Sequence, residues 1–235
     1  MKSLEQYIAE KLKIQTISNK PKHTLVPETK GELKKMIKDE MYKNGNTCSL
    51  NHIDVSKITD MSFLMFDALE DFDGDISEWD VSNVKNMSHM FYVSAFTGKN
   101  SDLSNWDVSS VTDMSCMFTN SLFDGDISGW DVSNVINMTG MFADSQFTGK
   151  NSDISNWDVS SVIYMSRMFN NSAFDNDISK WNVSSLEDMS HMFRNSKVKC
   201  DISGWDVSNV DKSQYAFADS YYASHPKLLP KYFTT

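Results

Sequence analysis

The chain has 235 residues, a net charge of −10 and a pI of about 4.9. An acidic chain without a Lys/Arg block is badly suited to neutralising phosphates or adsorbing to anionic lipid, so neither nucleic acid nor a membrane surface is an expected partner. No apolar run approaches the roughly 18 residues of a membrane span, so no membrane insertion is expected either.

In chain order, the N-terminus reads Met1-Lys2-Ser3-Leu4-Glu5-Gln6-Tyr7-Ile8. It lacks an uninterrupted apolar core, so a signal peptide is not expected. The expected location is cytoplasmic or virion-associated, with the cell surface as the alternative. A short helix over about Leu4–Leu12 and a polar link over Ser18–Pro27 make a first segment, 1–28. The segment 29–50 carries a capping helix. Thr29-Lys30-Gly31-Glu32 is a capping-box pattern, Leu33, Met36, Ile37 and Met41 follow at helical spacing, and Gly45 is a suitable stop.

A repeat occupies 51–217. The tryptophans Trp79, Trp106, Trp130, Trp157, Trp181 and Trp205 are spaced 27, 24, 27, 24 and 24 residues apart. Around them recurs one phrase, as in DISEWDVSNVKNMSHMF from Asp75 and DISGWDVSNVINMTGMF from Asp126. A partial copy from His52 has Ile53 in the Trp place, and the copy from Asp201 loses its Met pair. FTGKNSD appears twice, at Phe96 and Phe147, 51 residues apart, so a unit of one 27-residue and one 24-residue coil has been duplicated. Repeats of roughly 20–29 residues suggest a solenoid. Trp79 and Val81 flank Asp80 as in a strand, while Val84, Met87 and Phe91 fall on one helical face, with Ser82 (and Ser56, Ser109, Ser133, Ser160, Ser184, Ser208) placed to cap it. The expected fold is therefore an α/β solenoid, a leucine-rich-repeat-like array of about seven coils. Each coil would contribute a short strand and a short helical turn, with an N-terminal helical cap. Coils should stack ring on ring, Trp on Trp and Phe on Phe. The segment 218–235, with Tyr221, Tyr222, Leu228, Leu229, Tyr232 and Phe233, should close the far end.

The phrase Trp-Asp/Asn-Val-Ser-Asn/Ser-Val/Leu-x-x-Met-Ser/Thr-x-Met-Phe fits Trp79–Phe91, Trp106–Phe118, Trp130–Phe142, Trp157–Phe169 and Trp181–Phe193. It resembles the mycoplasma-type repeat family of unknown function that includes the BspA-like leucine-rich-repeat surface proteins. The resemblance implies relatives among bacterial surface adhesins and lipoproteins, and among phage-encoded arrays. It carries over no catalytic residue.

Sharper chemical readings are weak. Gly98-Lys99-Asn100-Ser101 and Gly149-Lys150-Asn151-Ser152 lack the upstream Gly of a phosphate loop and have Asn after Lys, so they read as turns. Asp71, Asp73, Asp75, Asp124, Asp126, Asp175 and Asp177 lie near turns without the terminal Glu of a calcium loop. The Asp54, Asp80, Asp107, Asp131, Asp158 and Asp206 column, with Asn182 once, reads as backbone caps. The five histidines show no ligand spacing, and Cys48, Cys116 and Cys200 read as free buried thiols in a reducing compartment. No catalytic residue, metal or cofactor is expected. The informative positions are those where the copies differ. Ile136 and Ile163 stand where other coils carry Lys85, Thr112 and Glu187, with Tyr164 and Arg167 nearby, and exposed apolar clusters with Tyr and Arg are typical contact surfaces. These four residues are the candidate partner-binding site. The alternative is a strand face bearing Glu78, Asn105, Asn156 and Lys180. The expected function is a non-enzymatic protein-binding scaffold. The alternative is a structural or adhesive component that self-associates, and the oligomeric state is left open.

Overall fold

The computed structural model describes residues 23–234; the helix expected over Leu4–Leu12 lies outside them. Helix α1 spans Lys30–Asn44. Its start follows the capping-box reading: Thr29 Oγ1 accepts from the Glu32 N–H at 3.2 Å, and Glu32 Oε2 accepts from the Glu28 N–H at 2.7 Å. It ends at Gly45, where φ is 84° and the N–H returns to the Met41 carbonyl at 2.8 Å. Leu33 and Ile37 are fully buried, Met36 and Met41 partly, so this face of α1 covers the first coil.

The coils are not strand-plus-helix units, and the fold is not an α/β solenoid. Among the described residues no strand is formed, and no helix lies within a coil. Each coil is a chain of tight turns. Ile76–Trp79 closes through Trp79 N–H to Ile76 C=O at 3.2 Å, Val81–Val84 through Val84 N–H to Val81 C=O at 2.9 Å, and Met87–Met90 through Met90 N–H to Met87 C=O at 3.2 Å. Successive β-turns, like a helix, bring i and i+3 together, which is why Val81, Val84, Met87 and Met90 all point inward. Helix is excluded by the residues between them. At the head of each turn Asp75, Asp80 and Asn86 accept the N–H two residues on, from Ser77, Ser82 and Ser88, at 3.0, 3.1 and 2.8 Å. This Asx geometry competes with helical bonding. Ser82 is therefore not a cap acceptor; its hydroxyl donates to Asp80 at 2.6 Å.

Neighbouring coils join through one-residue parallel bridges, running Asp60, Asn86, Asp113, Asn137, Tyr164, Asp188 and Lys212 in sequence. After each bridge the backbone continues to donate to the next coil: Met87, His89, Phe91 and Val93 to the carbonyls of Asp113, Ser115, Met117 and Thr119, at 2.8–3.0 Å. This run does not become a strand because two of its residues are left-handed. One left-handed column is Phe63, His89, Cys116, Gly140, Arg167, His191 and Tyr215. The other is Asp67, Val93, Asn120, Asp144, Asn171, Asn195 and Asp219. Asn and Asp tolerate that conformation, and they fill most of the second column.

The interior is aromatic and continuous. Phe91, Phe118, Phe142, Phe169, Phe193 and Phe217 stack at 5.4–6.0 Å with planes within 11°. Phe72, Phe96, Phe123, Phe147 and Phe174 form a second column at 5.8–6.3 Å. Trp106 and Trp130 stack at 6.4 Å, while Trp157, Trp181 and Trp205 also lie against the Phe of the coil before, at 6.0–6.4 Å. Every Trp donates its Nε1–H one coil back: Trp79 to the Leu50 carbonyl, Trp106 to Ile76, Trp130 to Leu103, Trp157 to Ile127, Trp181 to Ile154 and Trp205 to Ile178, at 2.9–3.3 Å. A large side chain buried in this stack contributes roughly 1.5–3 kcal/mol, and a single coil cannot bury these rings without its neighbours. At the far end, α2 (Tyr221–Ser224) buries Tyr222, whose hydroxyl donates to the Cys200 carbonyl at 2.9 Å. Leu228, Leu229 and Phe233 pack beside it, but Tyr232 points outward at 63% exposed.

Candidate functional site

The long loops are clamps. Asp73 Oδ1 accepts from the Thr97 N–H and hydroxyl at 2.8 and 2.9 Å, Asn100 Nδ2 donates to the Asp73 carbonyl at 2.7 Å, and the buried Ser101 Oγ accepts from the Ile76 N–H at 3.0 Å. Asp124, Thr148, Asn151, Ser152 and Ile127 repeat these contacts. The side chains of the Gly-Lys-Asn-Ser stretches are thus committed to holding one coil to the next, and Lys99 and Lys150 point to solvent. In the next two-coil unit Cys200 stands where Ser101 and Ser152 stand, its Sγ 3.5 Å from the Ile178 N–H.

The Asp column behaves as the sequence suggests. Asp54, Asp80, Asp107, Asp131, Asp158 and Asp206 each accept the N–H of the Ser two residues on, and Asn182 makes the same contact to Ser184 at 3.2 Å. The serine hydroxyl and N–H hold the carboxyls of Asp107, Asp158 and Asp206 below the usual range. The three cysteines are free and half-buried, and burial is the first cause that pushes each thiol up.

The candidate contact residues fall in two places. The Ile163 N–H donates to the Ile136 carbonyl at 2.9 Å, so the two isoleucines sit on adjacent coils, and Tyr164 bridges to Asn137 in the next column. Ile136 is 42% exposed and Tyr164 39%. Arg167 lies across the buried Met165, on the left-handed turn, between Cys116 two coils back and His191 one coil on. The alternative face is not a strand face. Glu78, Asn105, Asn156 and Lys180 are all exposed in one column, but each is a central residue of the turn that ends at its Trp.

Sequence reasoning missed the turn face itself. At its N-terminal end Phe63 stacks on His89 at 4.2 Å, Phe66 lies 5.5 Å from Tyr92, and His89 Nδ1 is buried without a partner among the described residues. Phe63 and Phe66 are 40% and 36% exposed. Burial, more than the opposing pull of Asp113, holds the His89 pKa down. The signal was present in the second column, where Asn and Asp recur at one register position without any Gly.

Together these features define a tandem-repeat protein of stacked turns, in which a repeated aromatic interior carries surface columns that vary from coil to coil. The chain belongs to the family described as "Mycoplasma protein of unknown function, DUF285", whose model matches residues 32–150 and 122–227. The two overlapping matches follow from the repeat. Neither a curated protein nor a solved structure matches the chain.

Proposed function

We propose that the protein is a non-enzymatic repeat scaffold that binds another protein through side chains projecting from its coils. One observation carries this reading: Ile136 and Tyr164 are exposed, on adjacent coils, at register positions where other coils carry Lys85, Asn86, Thr112, Asp113, Glu187 and Asp188. Ile163 between them is half-buried, and an apolar cluster at positions otherwise polar fits a contact surface. The non-enzymatic reading is supported by the committed Asp column and by thiols whose pKa is raised rather than lowered. The five copies of the Trp-to-Phe phrase support the finer reading that this member is allied to the BspA-like surface proteins.

The test is an Ile163→Asp/Tyr164→Asp double variant, used as bait in a lysate. It should lose the proteins that the unmodified chain retains, with its thermal midpoint unchanged. Unchanged capture would reject this patch. Light scattering addresses the second reading, self-association: a monomer at working concentration removes it.

A further inference from the structure

The chain holds twenty lysines but only two arginines, Arg167 and Arg194. Both are exposed, both project from the left-handed turns, and they sit on consecutive coils. Arg167 occupies the first left-handed column and Arg194 the position before the second, three residues after His191 of the first. His191 lies between them: burial, then the charges of Arg167 and Arg194, lower its pKa. His191 in turn stacks on Tyr215 of the next coil at 5.2 Å, and Tyr215 is 66% exposed. Among the described residues Arg167 forms no ion pair. Arg194 meets only Asp219, at 3.7 Å between two exposed groups, a weak pair that a better carboxylate displaces. Asp188 is the carboxylate acting on His191, opposing the two arginines.

We propose that this part of the turn face, Arg167–His191–Arg194 with Tyr215, docks an acidic peptide segment of the partner protein. The inference rests on the protein-binding reading and names the chemistry of that partner. Guanidinium forks match carboxylates with two parallel hydrogen bonds, and two such forks flanking His191 offer separate anchors to the carboxylates of one extended acidic segment. An exposed Tyr beside the cations supplies a flat apolar contact. The chain's net charge of −10 opposes any anionic ligand, so two arginines suit a segment of a few carboxylates and neutralise little of a long polyanion.

The experiment measures fluorescence anisotropy of a labelled peptide, Gly-Tyr-Glu-Glu-Glu-Glu-Leu-Gly, against the full chain. The same peptide with Gln for every Glu, and a single-stranded oligothymidylate, serve as comparisons. The acidic peptide should bind at least tenfold more tightly than either, and binding should weaken as salt is raised. Arg167→Gln/Arg194→Gln should lose at least tenfold, and the Lys pair should recover only part, with thermal midpoints unchanged. Equal binding of the Glu and Gln peptides, tighter binding of the oligonucleotide, or an Arg-to-Gln variant that binds normally would overturn the proposal. Lysate capture separates the two levels. If the Ile163/Tyr164 variant loses capture and the arginine variant keeps it, the acidic-segment inference fails while protein binding stands. If neither variant loses capture, both fail.

Discussion

Val93 and Asn120 occupy the same left-handed register position on adjacent coils, at φ 52° and 53°. Each donates its N–H to the next coil, to Thr119 at 3.0 Å and to Ala143 at 2.9 Å, so the backbone work is the same and only the side chain differs. A left-handed conformation costs an ordinary L residue about 1–2 kcal/mol, and a β-branched one is at the costly end because its second methyl crowds the carbonyl. Asn120 is exposed, so Asn120→Val gains no burial to offset this strain and should destabilise the array by about 1–2 kcal/mol. Val93 is half-buried, in a shallow hollow shared with Glu70, Ala95 and Leu122. Val93→Asn therefore relieves about 1–2 kcal/mol of strain but forfeits about half of a Val burial, roughly 0.8–1.5 kcal/mol, for a net gain of a few tenths of a kcal/mol. In a chain of this size each kcal/mol moves the thermal midpoint by about 2–4 °C. The two variants should move it in opposite directions when unfolding is followed by circular dichroism. An Asn120→Val protein as stable as its parent would refute the claim that the turn face is built on left-handed residues.

Trp130→Phe keeps a ring in the stack but leaves the Leu103 carbonyl without the Nε1–H that now sits at 2.9 Å; denaturant titration should show a loss of about 1–3 kcal/mol. Asp73→Ala should speed amide exchange at Thr97 and Lys99 while leaving Thr148 and Lys150 protected, since the second loop has its own Asp124; equal protection in both loops would contradict the clamp. The carboxyls of Asp107 and Asp158 titrate below their usual range because Ser109 and Ser160 donate to them. A depressed folded-state pKa stabilises the fold above the unfolded value of about 3.9, and that contribution is lost as pH falls through the folded value. The thermal midpoint should therefore drop steadily as pH is lowered from 5 towards 3, and a flat profile would count against the Asx contacts.

The interior was legible before any coordinates because a repeat writes its core many times. Trp79, Val81, Val84, Met87 and Phe91 recur in the five complete units, with Leu186 once for Val, and all are buried. What misled was spacing. Val84, Met87 and Phe91 satisfy a helical template, but Val81, Val84, Met87 and Met90 are separated by three residues each, the step of linked turns rather than the 3.6 of a helix. The pattern places Ser82 and its equivalents as caps of a helical turn, whereas the Asp two residues earlier accepts their N–H and forms the turn itself; the turn expected at Asp75 is present. The isoleucine pair was legible because it breaks the repeat. The first left-handed column, with His89, Cys116 and Arg167, carries no shared residue type, and only the recurring Asn and Asp of the second column mark the turn face in the sequence.

The Trp ladder also bears on how such a chain evolves. Each indole reaches back to a carbonyl supplied by the preceding unit, and each long loop ties itself to an Asp of that same unit. A 51-residue insertion cut at any equivalent point thus finds every donor and acceptor waiting at both seams. Length is then a free variable: adding one such module lengthens the rod by two strand spacings, about 10 Å, and leaves the chemistry of its two lids untouched.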